Sequence, residues 1–180
     1  MFYKNFPEES SEWILPLDID KIMSSFDLKS PHDWIHLNTK DVLSDKGQMW
    51  FLEKGIHLSS ICLFFIAYPN DQGPIHIDHK INDAGFNFVL SGSGSMQWLD
   101  VGNAEEYPTD LVLQSGASMK FTGFSDVRKL SILDSWQGDR GMVRVGTPHR
   151  IVTFKSRRIC LSLRQASGAS KSFDELITAF

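Results

Sequence analysis

Between Leu58 and Arg164 the chain breaks into short runs of β-branched and aromatic residues, punctuated by Gly, Asn, Asp and Pro about every eight to twelve residues. Ile61 to Tyr68, Phe86 to Leu90, Ser95 to Asp100, Val127 to Trp136, Gly141 to Phe154 and Arg158 to Arg164 are such runs. No helical periodicity alternates with them, which favours a sandwich or barrel over a βαβ architecture. The last run alternates cleanly: Ile159, Leu161 and Leu163 take one face, and Arg158, Cys160, Ser162 and Arg164 take the other. Small residues at 160 and 162 leave room for a ligand where an ordinary barrel core would need bulk.

The flanking segments read differently. Residues 1–57 are expected to be a helical or irregular support, with one helix from Asp18 to Phe26 and a second from about Thr39 to Lys54, interrupted by the weak helix former Gly47. His32 and His36 have helical i, i+4 spacing, but no Glu follows His32, so no zinc-protease motif forms. Residues 103–125 read as irregular and as a candidate substrate mouth. In the tail, 166–180, Ser172-Phe-Asp-Glu175 is a capping-box pattern that opens a short helix. With 42% hydrophobic residues and no repeat or long linker, residues 1–180 are expected to form one domain.

Chemistry concentrates at His76-Ile77-Asp78, which lies between two strand-like runs and their turn residues. Side chains two apart on a strand share a face, so His76 and Asp78 point together while Ile75 and Ile77 pack behind. His149 follows Gly146 and Pro148 on a β-branched run, and Arg158 comes nine residues later, beyond a polar turn from Lys155 to Arg157. Two imidazoles and a carboxylate can occupy one face of a divalent iron and leave the opposite face free. An arginine beyond the second imidazole suits the far carboxylate of a bidentate organic acid. A hairpin across the polar turn is expected to bring Arg158 to the His149 side of one sheet.

The set His76-x-Asp78, His149 and Arg158, on strands reading FNFVL, SMQWLD, PHRIVTF and RRICLSLR, resembles the iron(II) and 2-oxoglutarate-dependent dioxygenases. Within them it is most similar to small bacterial and phage-type members distantly akin to aspartyl/asparaginyl β-hydroxylases. The resemblance covers residues 58–165. It implies a mainly β fold: a double-stranded β-helix, the cupin-like jelly roll, with the N-terminal helices buttressing one sheet. It also implies Fe(2+) on His76, Asp78 and His149, with 2-oxoglutarate and dioxygen in the three open positions and Arg158 on the 5-carboxylate. Hydroxylation of a small molecule or an amino-acid or peptidyl side chain, with release of succinate and carbon dioxide, is the implied outcome. Aspartyl/asparaginyl hydroxylases proper lack the acidic ligand, so Asp78 weakens transfer of their substrate.

Further candidates carry alternatives. Asn87 is expected to face the interior, as a cosubstrate ligand or a satisfied core amide, and Ser162 to border the cosubstrate. Arg164 shares the face of Arg158, to bind an anion or to form a peripheral salt bridge. Trp98 and Trp136 are substrate-pocket candidates or core. Arg144, on the strand leading to His149, is a lesser substrate candidate. Ser91-Gly-Ser-Gly-Ser95 reads as a hairpin turn rather than a phosphate loop. His79 is expected to point away from Asp78.

A net charge of −4 with no basic stripe gives no indication of nucleic-acid binding. Cys62 and Cys160 lie in apolar runs, where buried thiols suit a cytoplasmic protein, although a bridge stays open. The polar N-terminus does not read as a signal peptide, and Ile61 to Tyr68 is too short to cross a bilayer. Three functions compete: the 2-oxoglutarate-dependent hydroxylase, a cupin-like metalloenzyme that never uses 2-oxoglutarate, and a non-catalytic jelly-roll binding module.

Overall fold

The computed structural model describes residues 1–24, 32–78, 83–112, 118–125, 127, 129–168 and 170–180. Its elements in chain order are β1 (Tyr3–Asn5), α1 (Ile19–Ser24), β2 (His32–Asn38), α2 (Thr39–Val42), α3 (Asp45–Glu53), β3 (Ile61–Ala67), β4 (His76–Ile77), β5 (Ala84–Ser91), β6 (Gly94–Asp100), β7 (Glu105–Val112) and β8 (Ser118–Ser125). They continue with β9 (Ser131–Trp136), β10 (Arg140–Arg144), β11 (His149–Thr153), β12 (Arg158–Leu163) and α4 (Phe173–Ile177). Among the described residues the strands form two six-stranded antiparallel sheets, ordered β1-β10-β5-β12-β3-β2 and β7-β8-β4-β11-β6-β9.

That order is a jelly roll. Successive strands β3, β4, β5 and β6 alternate between the sheets, as do β9, β10, β11 and β12 on the return, so β10-β5-β12-β3 faces β4-β11-β6-β9. Three additions surround these eight strands: β1 pairs with β10, β2 with β3, and the β7–β8 hairpin with β4.

The main core lies outside the roll, on the outer face of the first sheet. Phe64, Phe86, Phe88, Ile159, Leu161 and Leu163 are buried there against Trp13, Val42, Phe51, Phe173 and Leu176. Helices therefore buttress this sheet, α4 among them. Each such side chain, fully buried, stabilises the fold by about 1.5–3 kcal/mol before chain entropy is counted. A smaller cluster of Met96, Trp98, Trp136, Val143 and Val145 fills one part of the space between the sheets, covered by Phe2 and Tyr3.

Several sequence expectations are corrected. The segment expected to be helical or irregular contributes two strands, β1 and β2, and His32 and His36 lie on β2. The helix expected over Thr39–Lys54 is two helices. Leu43 turns extended (φ −106°, ψ 124°) to bridge Ile14, and the Ser44 hydroxyl then caps α3 by accepting from the Gly47 N–H at 3.2 Å. A Cβ at Gly47 would stand 2.8 Å from Leu43 Cδ1 and 2.9 Å from Trp13 Cβ, so the glycine serves close packing. Within 103–125, β7 and β8 pair as regular antiparallel strands, with Pro108 tolerated because β7 is an edge strand among the described residues. The 91–95 run joins β5 to β6 across the two sheets and is no hairpin turn. Cys62 and Cys160 are free and buried. The capping box at Ser172 and Glu175 forms as read. Among the described residues no helix is long and apolar enough to cross a membrane.

Candidate metal centre

β4 and β11 lie side by side with His76 directly opposite His149. Asp78 follows β4, where its N–H donates to the Val145 carbonyl at 3.1 Å. The three residues place one ligand atom each within 4.8 Å of one another. His76 Nε2 is 3.0 Å from Asp78 Oδ1, and His149 Nε2 is 3.7 Å from the same oxygen. Donors about 2.1 Å from a shared ion stand roughly 3.0–3.4 Å apart, so small adjustments would seat a divalent metal here.

Both imidazoles are oriented by the same local device. His76 Nδ1 lies 2.9 Å from the Pro74 carbonyl and His149 Nδ1 lies 2.8 Å from the Thr147 carbonyl, each two residues upstream. A carbonyl accepts only, so in both rings Nδ1 carries the proton and Nε2 is the metal-facing nitrogen. Asp78 is fixed on its other oxygen: Arg164 Nη2 donates to Oδ2 at 2.6 Å, leaving Oδ1 to the imidazoles.

The electrostatics follow from burial and this pairing. Burial would raise the Asp78 carboxyl, but the His76 hydrogen bond and the charges of Arg164 and both imidazoles outweigh it and hold the group well below the carboxylate range. Burial would lower His76, yet the hydrogen bond and charge of Asp78 bring it above its ordinary value. Burial and then the charge of His76 push His149 down to about 4. Without metal, Asp78 is thus an anion shared by a proton-binding His76 and a neutral His149. A cation replacing that proton would meet one carboxylate and two neutral nitrogens, a donor set suited to iron(II), manganese(II) or zinc(II).

The other expected site residues divide. Arg164 lines the cavity, and its salt bridge to Asp78 is partly buried within the site rather than peripheral. Arg164 Nη1 also donates to Ser162 Oγ, which donates to Asn87 Oδ1 at 2.6 Å. Asn87 therefore has its side-chain oxygen engaged while it also borders the cavity, and Ser162 is wholly buried between it and the guanidinium. Arg158 does not share a sheet with His149, contrary to the hairpin expectation. β11 pairs with β4 and β6, β12 with β3 and β5, so the two residues lie on opposite sheets. Arg158 is 1% exposed, packs its guanidinium 5.9 Å from the centroid of the Phe65 ring and leaves Nη1 without a hydrogen-bond partner among the described residues.

Trp98 and Trp136 are core, not pocket. Both are buried, stacked or tilted against Phe2 and Tyr3, and their indole N–H groups donate to Arg144 O at 2.7 Å and Asn5 Oδ1 at 2.8 Å. Arg144 is tied to Asp174 and Asp83 and lies over Phe173, away from the cavity. His79 lies outside the described residues. A cavity of about 200 Å³ opens on the metal centre, and its walls include Trp34, Phe65, Met96, Phe121, Val145 and Ile151, none of which the motif reading singled out. Trp34 was visible in principle: Ile35 and Leu37 alternate with Trp34 and His36 as a strand requires.

No protein-family model matches the chain, and no curated protein matches it. Solved structures are similar only loosely. Oxalate decarboxylase from Lactobacillus farciminis, in a formate complex, is 12% identical at a TM-score of 0.40, over 93% of this chain and 33% of that one. A polyketide cyclase from Streptomyces resistomycificus is 15% identical at 0.35, over 74% and 65%. An RmlC-like cupin protein from Desulfovibrio desulfuricans is 12% identical at 0.30, over 61% and 79%. The chain spans about a third of the length of the oxalate decarboxylases it matches. Likeness this loose carries no argument about activity, and the jelly roll rests on the strand order itself.

Proposed function

We propose that this protein is a cupin-type metalloenzyme in which His76, Asp78 and His149 hold a divalent transition metal, iron(II) or manganese(II), beside a cavity for a small organic substrate. The observation that carries this is the matched pair of imidazoles, each fixed through Nδ1 to a backbone carbonyl with Nε2 turned to one oxygen of Asp78. A bound metal would supply Lewis acidity or redox chemistry at the positions these three side chains leave open. The chain's own residues orient and exclude water. Arg164 reserves Asp78 Oδ2, so the carboxylate offers the metal one oxygen, and the apolar cavity walls keep solvent from the reacting face.

Metal-free protein titrated with Fe2+ and with Mn2+ is expected to bind close to one equivalent, and His76→Ala to lose it. Equal retention by the variant would overturn the assignment. Failure of the wild type to retain any metal would favour a non-catalytic binding module.

A 2-oxoglutarate-dependent hydroxylase is the second reading, favoured by Arg158. A buried guanidinium with one nitrogen, Nη1, lacking a hydrogen-bond partner among the described residues is costly, and the far carboxylate of a dianionic keto acid would neutralise it. Because Arg158 does not line the cavity, such binding requires the Phe65 ring packed on it to turn aside. Anaerobic addition of Fe2+ and 2-oxoglutarate should then produce a metal-to-ligand colour band that Arg158→Ala weakens. No band in the wild type would leave only the 2-oxoglutarate-independent metalloenzyme.

A further inference from the structure

The cavity beside the metal centre combines polar groups with apolar walls. Its charged groups are mutually engaged: Arg164 bonds Asp78, and Asp78 faces both imidazoles. Asn87 has its carbonyl oxygen taken by Ser162. The remaining walls are apolar, and three are aromatic. Trp34 and Phe65 lie opposite each other in the β2–β3 register with rings stacked at 5.2 Å and 29°. Phe121 meets the His76 imidazole edge-on at 5.4 Å and 62°.

The origin of these rings is informative. Phe65 belongs to the eight-strand roll, but Trp34 comes from β2 and Phe121 from β8, which are additions to opposite sheets. Two separate elaborations of the roll thus deliver flat rings to the same cavity. Structural support alone would require neither ring to border empty space.

Resting on the metal-centre reading above, we propose that the substrate is an uncharged planar aromatic molecule, held by Trp34, Phe65 and Phe121 with one edge toward the metal ligands. Ring faces and edges favour other rings in offset or edge-on contact. Size agrees: an apolar cavity of about 150 Å³ holds benzene, so one of about 200 Å³ admits one or two fused rings. Charge agrees as well. A free amino acid would bring an ammonium group for which Asp78 is the one carboxylate among the described lining residues; Arg164 and His76 already hold it, so the charge would be buried unpaired. An aliphatic substrate would leave the flat walls without a matching surface.

Equilibrium dialysis of the full chain, metal-free and loaded with Mn2+, against indole, cyclohexanol, L-leucine and L-tryptophan tests the proposal. Tryptophan carries the same ring as indole with a zwitterionic tail. Indole is expected to bind tighter than the other three by about tenfold or more, and Trp34→Ala and Phe121→Ala to weaken it by about tenfold. Manganese stoichiometry should be unchanged in both variants, which separates ring contacts from the metal site. Equal or tighter binding of L-tryptophan, L-leucine or cyclohexanol to the wild type, or no binding of indole, overturns the proposal even if either variant fails to fold. Indole binding without manganese retention supports the aromatic pocket and sinks the metal-centre reading; manganese retention without indole binding does the reverse.

Discussion

The two faces of β12 are equally dry and chemically opposite: outward, Ile159, Leu161 and Leu163 are at most 4% exposed, and inward, Arg158, Cys160 and Ser162 are at most 1%. The outward side chains meet aromatic rings from the N-terminal segment, α3 and α4. Of the inward ones, Ser162 meets Asn87 and Arg164, and Arg158 packs its guanidinium against Phe65. Burial therefore does not separate framework from site in this molecule; the character of what is buried does. The outward face gains free energy by excluding water from hydrocarbon. The inward face spends some of it keeping a guanidinium, a hydroxyl and an amide in fixed positions.

Adjacent substitutions on β12 test this contrast most sharply. Leu161→Ala should destabilise the protein by about 2–5 kcal/mol, seen as a lower urea midpoint, with metal stoichiometry intact. Ser162→Ala, one residue on, should destabilise it less, by about 1–3 kcal/mol for the Asn87 oxygen left unpaired, while weakening metal binding through Arg164. The same response from both would break the distinction. Next in size, His76→Ala should weaken metal binding by more than about 100-fold, since loss of even an outer partner typically costs 10- to 100-fold. Isothermal titration reads that change, and the variant's midpoint should stay near that of the metal-free wild type.

Acid should distinguish the faces next. His149 is pushed down to about 4 by burial and then by the charge of His76. In the metal-free protein the unfolded chain therefore takes up the proton first, and folding loses stability as pH falls below the ordinary value of about 6.5. From pH 6.5 to 5 the loss is about 2 kcal/mol. Asp78, also held low, adds to the loss below its ordinary range, whereas the raised His76 contributes stability that is present in acid and lost as pH rises through its folded value. Urea midpoints at pH 7 and 5 should differ less in His149→Gln than in the wild type. An equal slope would mean that His149 is not held neutral. The smallest effect lies far from the site: Ser172→Ala removes the α4 cap and should cost about 1 kcal/mol, without touching metal binding.

Local chemistry was legible where a pattern closes on itself. The alternation over 158–164 specified both faces of β12, and the two-residue step from His76 to Asp78 placed them together. Pairing partners were not legible. The polar turn at 155–157 suits a hairpin and a crossing between sheets equally, and only the competition among distant strands sends β12 to β3 and β5. Trp98 and Trp136 carry the alternation that a pocket wall would carry. What makes them core is the N-terminal pair Phe2 and Tyr3, more than ninety residues upstream of Trp98. β2 was not read as a strand, although Trp34-Ile35-His36-Leu37 alternates and Ile35 is buried.

Position 85 shows how sensitive such a site can be to an atom that is not there. Gly85 lies on β5 beside Arg164, and a Cβ built on it would overlap the tip of that guanidinium while only pressing lightly on Val145. An alanine at 85 would leave both sheets intact, because the tip of a long flexible side chain yields easily. The group that yields is the one tethering Asp78. Such a protein would express, fold and melt almost normally while its carboxylate swung loose, a loss of function that stability screens would not register.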